Sequence, residues 1–286
     1  MQPLGSHTVV EARRSPAKAS IPAAPGLTSS AGLVDLDTAI YPQIAGLGEH
    51  YWGWVHRPST RPHFRHFKHD IIEFFSATPW WAIPIVWIPV IALLTRSAMG
   101  DALLPFLEEN LGTAPAPAPG LSPLMTAAIV ALGVLVWTFL EYGLHRFLFH
   151  MPVNGSTTFL IKAHWVLHGQ HHKFPLDKGR LVFPPVAGFG LALPFYVLFH
   201  ALLSRAAADA LMAGALLGYM GYDLTHYYLH HGRPQPTSYF GRLKAYHRDH
   251  HYKDPDHGER AGCGRSRIWV FVPLLTRNVC SPIPFS

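Results

Sequence analysis

Charged residues are scarce in this sequence. Lysine, arginine, aspartate and glutamate together make up 14% of its 286 residues, whereas hydrophobic residues make up 49%. This composition is too apolar for an ordinary soluble domain of the same length, and it favours an integral membrane protein. Residues 1–30 contain no apolar stretch of the kind found in secretory signal peptides, so we do not predict a cleaved signal peptide.

Cysteine and several familiar motifs are also rare or absent. Cys263 and Cys280 are the two cysteines, and the orientation derived below places both in the reducing cytosol, so we predict no disulfide. The His-Glu-x-x-His motif of many zinc hydrolases does not occur. The net charge is +6, but no basic helix or aromatic strand pattern indicates a nucleic-acid partner.

Four apolar runs predict four transmembrane helices, because about 20 apolar residues cross a hydrocarbon core of roughly 30 Å. The first run is the uncharged stretch between Glu73 and Arg96, and the second is 124–140. The third is 181–204, and the fourth, 210–222, is shorter. Since little chain separates the third run from the fourth, we expect these two to form a tight helical hairpin.

The charges beside these runs predict their orientation. Arg57, Arg61, Arg65 and Lys68 precede the first run, whereas the loop 96–123 carries one arginine against three acidic residues. The positive-inside rule therefore places the N-terminal flank in the cytosol. Four spans then bring 141–180 and 223–286 to that same side, where a basic surface is attracted to anionic lipid.

Histidines are abundant and clustered. Fourteen of the 20 follow residue 140, and ten of these form four groups: His145 and His150; His168, His171 and His172; His226 and His230; His247, His250 and His251. Positions i, i+3 and i+4 share one face of a helix, so three of the groups each point one way. The step from His145 to His150 is about 140° around an ideal helix, so these two converge only if they hold a ligand from its flanks or if the helix ends nearby.

This density of imidazoles indicates metal binding. Protonated histidines so close together would repel one another, whereas neutral imidazoles are ligands for zinc, iron, copper and nickel. Ten of them would hold two divalent cations, and we predict one two-metal site at the cytosolic mouth. The isolated histidines are expected to be surface or core residues: His7, His50, His56, His63, His66, His69 and His200. His164, His231 and His257 are expected near the site or on the surface.

At these clusters the sequence resembles the membrane fatty acid hydroxylase and sterol desaturase superfamily, and within it the fatty acid 2-hydroxylases. The resemblance covers roughly residues 33–258. It rests on the stretches LVDLDTAIYPQI, WVHRP, TPWW, EYGLHRFLFH, LHGQHHKFPLDKGRLVFPP, YDLTHYYLHH and YHRDHHYKD. The segment HGQHHKFPLDKGRLVFPP is the most specific, because it separates 2-hydroxylases from sterol oxidases and desaturases with a similar number of histidines.

The resemblance implies a fold, a cofactor and an activity. The fold is an all-α integral membrane protein of the endoplasmic reticulum, with four transmembrane helices and a cytosolic histidine-rich helical cap holding a dinuclear metal site. The cofactor is a pair of iron ions, which zinc can replace in purified protein, and O₂ is the co-substrate. The activity is that of a monooxygenase in sphingolipid metabolism, 2-hydroxylating a long fatty acyl chain, free or within ceramide.

The resemblance also implies the residues of the site. Its metal ligands are His145, His150, His168, His171, His172, His226, His230, His247, His250 and His251. Separately from the resemblance, the positions and chemistry of six other side chains suggest that they orient these ligands or accept their protons: His164, Asp177, Tyr222, Asp223, His231 and Asp249.

The ends of the chain depart from the family pattern. Many members carry an N-terminal haem-binding domain of the cytochrome b type, and no His-Pro-Gly-Gly occurs here. We therefore expect electrons to come from a separate cytochrome b-type protein and its reductase. The expected organisation is a disordered tail (1–32), a hydroxylase membrane domain (33–258) and an atypical C-terminal tail (259–286).

Other interpretations remain open at this stage. A sterol or sphingoid-base oxidase or desaturase of the same superfamily would share the histidine pattern. A histidine-rich metal transporter is a second alternative, although transporters need ionisable ligands within the spans, and His200 alone lies deep in an apolar run. A non-catalytic remnant produced by the altered tail is a third.

Overall fold

The described part of the chain is built from helices. The computed structural model describes residues 33–100, 120–151, 153 and 157–253, and every regular element within them is helical, as the sequence predicts. The α-helices are α1 (Tyr51–Val55), α2 (Asp70–Ser76), α3 (Ala82–Ala98), α4 (Pro123–Gly143), α5 (Thr158–His164), α6 (Gln170–Lys173), α7 (Pro185–Leu202), α8 (Arg205–His231) and α9 (Tyr239–Tyr252). A 3₁₀ segment (Ile44–His50) precedes α1, and two π-helical turns (Leu144–Phe149 and Trp165–Gly169) extend α4 and α5.

Serine side chains define where the long helices begin. The hydroxyl of Ser122 accepts a hydrogen bond from the Met125 amide at 3.3 Å, and Pro123 occupies the first helical position. Ser204 caps α8 in the same way by accepting from the Ala207 amide at 3.4 Å. Because α8 begins only a few residues after α7 ends, the predicted tight hairpin is confirmed.

The central helix of the bundle is α8, which packs against α3, α4 and α7. Its closest neighbour is α4, and glycines line the contact between them. A Cβ atom on Gly214 would lie 2.1 Å from the carbonyl oxygen of Val130, and one on Gly133 would lie 2.3 Å from that of Leu211. The two backbones therefore touch at a distance that no larger residue permits.

The outer faces of α4 and α7 are apolar. Leu124, Phe139, Val186 and Val197 are between 58% and 82% exposed. The helical stretches Pro123–Phe149 and Pro185–Leu202 are long and apolar enough to cross a bilayer, and among the remaining described residues α3 is an apolar helix of 17 residues. An exterior of this kind characterises a membrane protein.

The first predicted span is shorter than the uncharged stretch that indicated it. Helix α2 ends at Ser76, Ala77 is extended with φ −95° and ψ 117°, and α3 begins at Ala82. Pro79 lies within this break, and a proline disfavours helical conformation in the residue before it. The fourth predicted span (210–222) lies inside the longer helix α8, most of whose first half is buried.

A second core supports the histidine-bearing turns. Ile40, Ile44 and Tyr51 are fully buried against Ile161 and Trp165, which follow in α5 and the turn after it. The chain before α2 is therefore a packed support for the turns that carry three of the histidines. Both predicted tails, the predicted acidic loop charges, His7, His257 and the two cysteines lie outside the described residues.

Candidate metal centre

The ten clustered histidines come together at one end of the helical bundle. They arrive from four parts of the chain: the π-helical turn that extends α4, the turn and helix around α6, the C-terminal end of α8, and the C-terminal half of α9. Their side chains are buried or half-buried. The structure therefore gathers every histidine that the spacing singled out.

Nine of the ten form two groups of possible metal ligands. In each group one nitrogen atom of every member lies within 4.8 Å of the corresponding atoms of the others. One group contains His171, His226, His230, His247 and His251, and the other contains His145, His150, His168 and His250. The tenth, His172, lies between them, because its Nε2 is 3.0 Å from Nε2 of His168 and its ring centroid is 4.6 Å from that of His251.

A π-helical turn brings His145 and His150 together. The amide of His150 donates to the carbonyl of His145 at 2.9 Å, which is the five-residue hydrogen bond of a π-helix. The two ring centroids are 4.6 Å apart. The helix ends at this point, with His150 as its C-cap, so one of the two conditions stated for convergence is met. The wider π-helical turn also places residues five apart on one side, unlike the step of about 140° in an ideal α-helix.

The contacts among these rings fit cations better than hydrogen bonds. Nε2 of His247 lies 3.1 Å from Nε2 of His226, 2.7 Å from that of His230 and 3.1 Å from that of His251. A neutral imidazole carries one N–H, so three converging nitrogens around a fourth cannot all be paired by protons. A divalent cation accepts several imidazole lone pairs at once, and this donor set therefore fits a metal ion.

Burial keeps the candidate ligands in the form that binds metals. Loss of hydration lowers the pKa of His168, His171, His172, His247 and His251 well below its usual value of 6.5, and the neighbouring imidazoles lower it further. At neutral pH these rings are therefore uncharged and have a lone pair available for a cation.

Backbone carbonyls orient two of the candidate ligands. The ring of His226 donates to the carbonyl of Leu181, and that of His230 donates to the carbonyl of Pro175. Each of these imidazoles is thereby held with its other nitrogen facing its group. No sequence pattern marks these two carbonyls beyond their place in the segment that follows His172.

The loop that supplies those carbonyls is fixed by an ionic network. Arg180 donates to Asp177 at 2.9 Å and to the hydroxyl of Ser76 at 3.2 Å, and it also bonds Glu73. Glu73 in turn accepts from the amide of Phe67 at 2.7 Å. The loop 174–184 is therefore tied to α2 and to the chain before it.

The side chains predicted to orient the ligands have different surroundings. Asp177 bonds Arg180 and the amide of Gly179, while Asp249 bonds Lys253, so neither carboxylate contacts a ligand imidazole among the described residues. Direct contact with a ligand is therefore not how either carboxylate acts, and an indirect role of both in orienting the ligands stays a prediction. The cations and the turn amide near them in sequence hold both carboxylates locally.

The other predicted neighbours lie closer to the centre or pack around it. The Tyr222 ring stacks on that of His226 with centroids 6.0 Å apart, and its hydroxyl donates to Glu141. Asp223 accepts from the Phe183 amide at 3.1 Å and from the Tyr219 hydroxyl at 3.3 Å.

Two of the remaining histidines flank the cluster. His164 is buried, with Nδ1 2.7 Å from the hydroxyl of Tyr51. His231 is half-buried beside the ring of Tyr227.

His56 lies beside the cluster, although its isolated position in the sequence predicts an ordinary surface or core residue. Its ring centroid is 5.1 Å from that of His172, and its Nδ1 lies 3.0 Å from the carbonyl of Trp52. The signal that could have marked it was its place in WVHRP, one of the stretches that carry the family resemblance.

A large apolar cavity opens onto the histidines. Its empty volume, counting open solvent at the mouth, is about 1120 Å³, and it lies among α3, α4, α7 and α8. His168, His171 and His226 line it at one end, and most of the other lining side chains are apolar. A long apolar molecule in this cavity would have one of its segments beside both histidine groups.

This combination of an apolar helical bundle, a histidine-lined centre and an adjoining apolar cavity agrees with the sequence comparisons. The chain belongs to the fatty acid hydroxylase family, whose model matches residues 130–269.

Within the family the chain is similar to proteins that act on carbon 2 of acyl chains. It is 44% identical to a dihydroceramide fatty acyl 2-hydroxylase of Arabidopsis thaliana, over 79% of this chain and 86% of that protein. It is 40% identical to the fatty acid 2-hydroxylase of Rattus norvegicus over 84% of this chain, which corresponds to 63% of the length of the rat protein.

A solved structure extends the likeness to three dimensions. It is described as full-length scs7p with only the hydroxylase domain visible, and it superimposes with a TM-score of 0.65. The two chains are 35% identical, and the match covers 78% of each. The fold of the described residues is therefore that of a hydroxylase domain.

Proposed function

We propose that this chain hydroxylates carbon 2 of a long fatty acyl chain, free or within ceramide, at a centre of two iron ions. The observation that carries the proposal is the shared wall between cavity and centre. His168 belongs to one histidine group, His171 and His226 belong to the other, and all three line the apolar cavity. An acyl chain in that cavity has a C–H bond next to both groups of ligands.

The ten histidines supply the ligands of this centre. His171, His226, His230, His247 and His251 hold one cation, while His145, His150, His168 and His250 hold the other, with His172 completing the set between them. When bound, a pair of reduced iron ions supplies the activation of O₂ that breaking an unactivated C–H bond requires. Zinc has the same preference for imidazole and would occupy the ligands without supporting this chemistry.

The protein's own side chains position the substrate and the ligands. The apolar lining excludes water from the reacting carbon, and the carbonyls of Pro175 and Leu181 fix His230 and His226. Tyr222 lies against His226 at the cavity wall, where it holds that ring in place together with Glu141.

Electrons reach the centre from outside the described residues. Insertion of one oxygen atom of O₂ into a C–H bond, with reduction of the other to water, consumes two electrons and two protons. A cytochrome b-type protein and its reductase are the proposed source. The hydroxylase domain is proposed to extend over residues 33–258, between the tails 1–32 and 259–286.

The proposed membrane arrangement has four spans and a cytosolic cap. Helices α3, α4, α7 and the buried part of α8 cross the bilayer of the endoplasmic reticulum, and the histidine-bearing ends face the cytosol. Arg57, Arg61, Arg65 and Lys68 precede α3 on that side, in agreement with the positive-inside rule. The exposed apolar faces of α4 and α7 contact lipid.

Expression in cells that lack their own 2-hydroxylase tests the proposal. Lipid mass spectrometry is expected to detect 2-hydroxy ceramides or fatty acids with the unmodified chain, and background levels with His171→Ala. Metal content of the purified proteins should fall in the same variant. His63→Ala is the matched control, because its side chain is 81% exposed and lies outside both groups.

Each outcome has a definite meaning. Loss of product and metal in His171→Ala, with both retained in His63→Ala, supports the site and the reaction together. Hydroxylated sterols or sphingoid bases in place of 2-hydroxy acyl chains would contradict the proposed substrate. Unchanged metal content in His171→Ala would contradict the proposed ligand set.

A further inference from the structure

The cavity follows one face of α8 for several turns away from the histidines. Its lining residues on that helix include Met212, Leu216, Tyr219, Asp223 and His226, which are spaced three or four residues apart. That spacing keeps them on one side of the helix. Met212 is therefore about 21 Å from His226 along the axis, at roughly 1.5 Å per residue.

Helix α7 forms the opposite wall and reaches the same depth. Its start is fixed beside Asp223, because the amide of Phe183 donates to that carboxylate at 3.1 Å. From Pro184 the lining continues along α7 to Phe195, about 16 Å away at roughly 1.5 Å per residue. Met212 lies about 16 Å from Asp223 along the axis of α8, at the same rise per residue. Phe195 and Met212 therefore lie at the same depth in the cavity, measured from Asp223 and the start of α7.

A polar cluster lies just beyond this depth. Asp209 is three residues before Met212 on α8, and it accepts a hydrogen bond from Ser97 at 2.6 Å. Its other oxygen is 3.0 Å from Nε2 of His200 on α7. Asp209 is almost fully buried. The end of an apolar chain gains nothing by entering such a cluster, so the apolar path ends at Phe195 and Met212.

We infer that the cavity measures acyl chains: the chain lies lengthwise along α8, with its reacting end at the histidines and its methyl end against Phe195 and Met212. The enclosed length of about 16 Å beyond Asp223 is close to half of a hydrocarbon core of roughly 30 Å, the depth of one leaflet. A longer chain must displace the side chain of Phe195. This inference rests on the proposed function, because it assumes an acyl substrate.

Photolabelling tests where the chain lies without relying on turnover. The probe is a palmitoyl ceramide carrying a diazirine at the terminal carbon of its acyl chain, and peptide mass spectrometry locates the label in the full chain. The expected result is label on Phe195 and Met212. Label on Leu193 and Leu217, which face outward at 59% and 39% exposure, would overturn the inference.

Two substitutions test whether the length of the cavity selects the length of the acyl chain. Ala192 is a half-buried lining residue about one turn nearer the site than Phe195, so Ala192→Trp is expected to shorten the cavity, and Phe195→Ala is expected to lengthen it. In a mixture of ceramides that differ only in acyl length, Ala192→Trp should lower the ratio of long-chain to short-chain product by about tenfold or more. Phe195→Ala should raise the same ratio.

The matched control is Leu193→Trp, which adds the same bulk one position away on the outer face of α7. Its product profile is expected to equal that of the unmodified chain. If Ala192→Trp and Phe195→Ala also leave the profile unchanged, the inference is overturned. If the unmodified chain yields no 2-hydroxy product while label still falls on Phe195 and Met212, the proposed reaction fails and the mode of acyl binding stands.

Discussion

His66 is a buried histidine outside the metal centre. It is fully buried among aromatic rings, with its own centroid 4.2 Å from that of Phe64 and 5.5 Å from that of Trp165. Burial lowers the pKa of His66 well below 6.5, and the charge of Arg180 lowers it further. His66 is therefore neutral in the folded protein under conditions that protonate it in the unfolded chain.

This difference makes stability depend on pH. Because the folded pKa is depressed, the contribution of His66 to stability is fully present above the unfolded pKa of about 6.5 and is lost as the pH falls below it. In His66→Phe, the drop in melting temperature between about pH 7.5 and about pH 5.5 should be smaller than in the unmodified chain.

Thermal unfolding in detergent at several pH values measures this effect. The control is His69→Phe, which makes the same replacement at an exposed histidine three residues away in the sequence. Equal pH dependence in His66→Phe and the unmodified chain would contradict the interpretation of His66.

At the residue scale, the sequence predicted which histidines gather but not how they are held. Spacing of three and four residues was enough to select His168, His171 and His172, since it follows from ordinary helix geometry. The convergence of His145 and His150 depends on a π-helical turn, which tertiary packing stabilises and which five-residue spacing alone does not indicate. The role of the Leu181 carbonyl could not be predicted either, because every residue has a backbone carbonyl.

The loop 174–184 acts as a single element that orients two proposed metal ligands on α8, His226 and His230. Its geometry depends on the planar guanidinium of Arg180, which bonds Asp177, Glu73 and Ser76 in different directions. A lysine ammonium cannot reproduce that fork. Arg180→Lys should therefore weaken metal affinity about 10- to 100-fold through misplaced carbonyls at Pro175 and Leu181.

Competition with a chelator of known affinity measures this change. Lys178→Ala removes an exposed cation from the same loop and is expected to bind metal as the unmodified chain does. If both variants have the affinity of the unmodified chain, the network does not hold the loop.

The glycine contact between α4 and α8 offers a second prediction at this scale. A side chain at Gly214 would collide with the carbonyl of Val130, so Gly214→Val must separate the two helices. The expected loss is about 2 kcal/mol or more of unfolding free energy, together with loss of metal, because α4 and α8 both lead to histidine ligands.

Gly190→Ala in α7 provides the comparison, because a Cβ at Gly190 would meet no heavy atom within 4 Å. Its stability should stay within about 1 kcal/mol of the unmodified chain or rise, since alanine favours a helix more than glycine does. Equal unfolding temperatures for Gly214→Val and Gly190→Ala would contradict the close packing of α4 on α8.

The apolar runs predicted the presence of the long helices better than the residues at which those helices begin and end. Helices α4 and α7 match their runs because lipid-facing helices are apolar on most sides. The break between α2 and α3 fell inside an uncharged stretch, where composition carries no information about the extended backbone at Ala77. Helix α8 extends well beyond its apolar run. Asp209 and Asp223, which flank that run in the sequence, lie inside the helix because each carboxylate is buried with hydrogen-bonding partners.

At the scale of the whole molecule, two separately packed regions meet at the histidines. The core around Ile44, Tyr51 and Trp165 supports the turns that carry His168, His171 and His172, while the bundle around α8 supplies His226 and His230 and the cavity. The helical class and the gathering of the ten histidines could be predicted, because apolar runs and histidine groups recur along the sequence. The cavity could not, because its walls come from four helices with no shared motif.

Isotope labelling of the reaction tests the central claim most directly. The purified, iron-loaded chain is supplied with an electron donor, oxygen-18 gas and a ceramide whose acyl carbon 2 carries deuterium. The account predicts a 2-hydroxy acyl product that contains oxygen from O₂ and has lost one deuterium from carbon 2. Oxygen derived from water, or hydroxylation with both deuterium atoms retained, would contradict it.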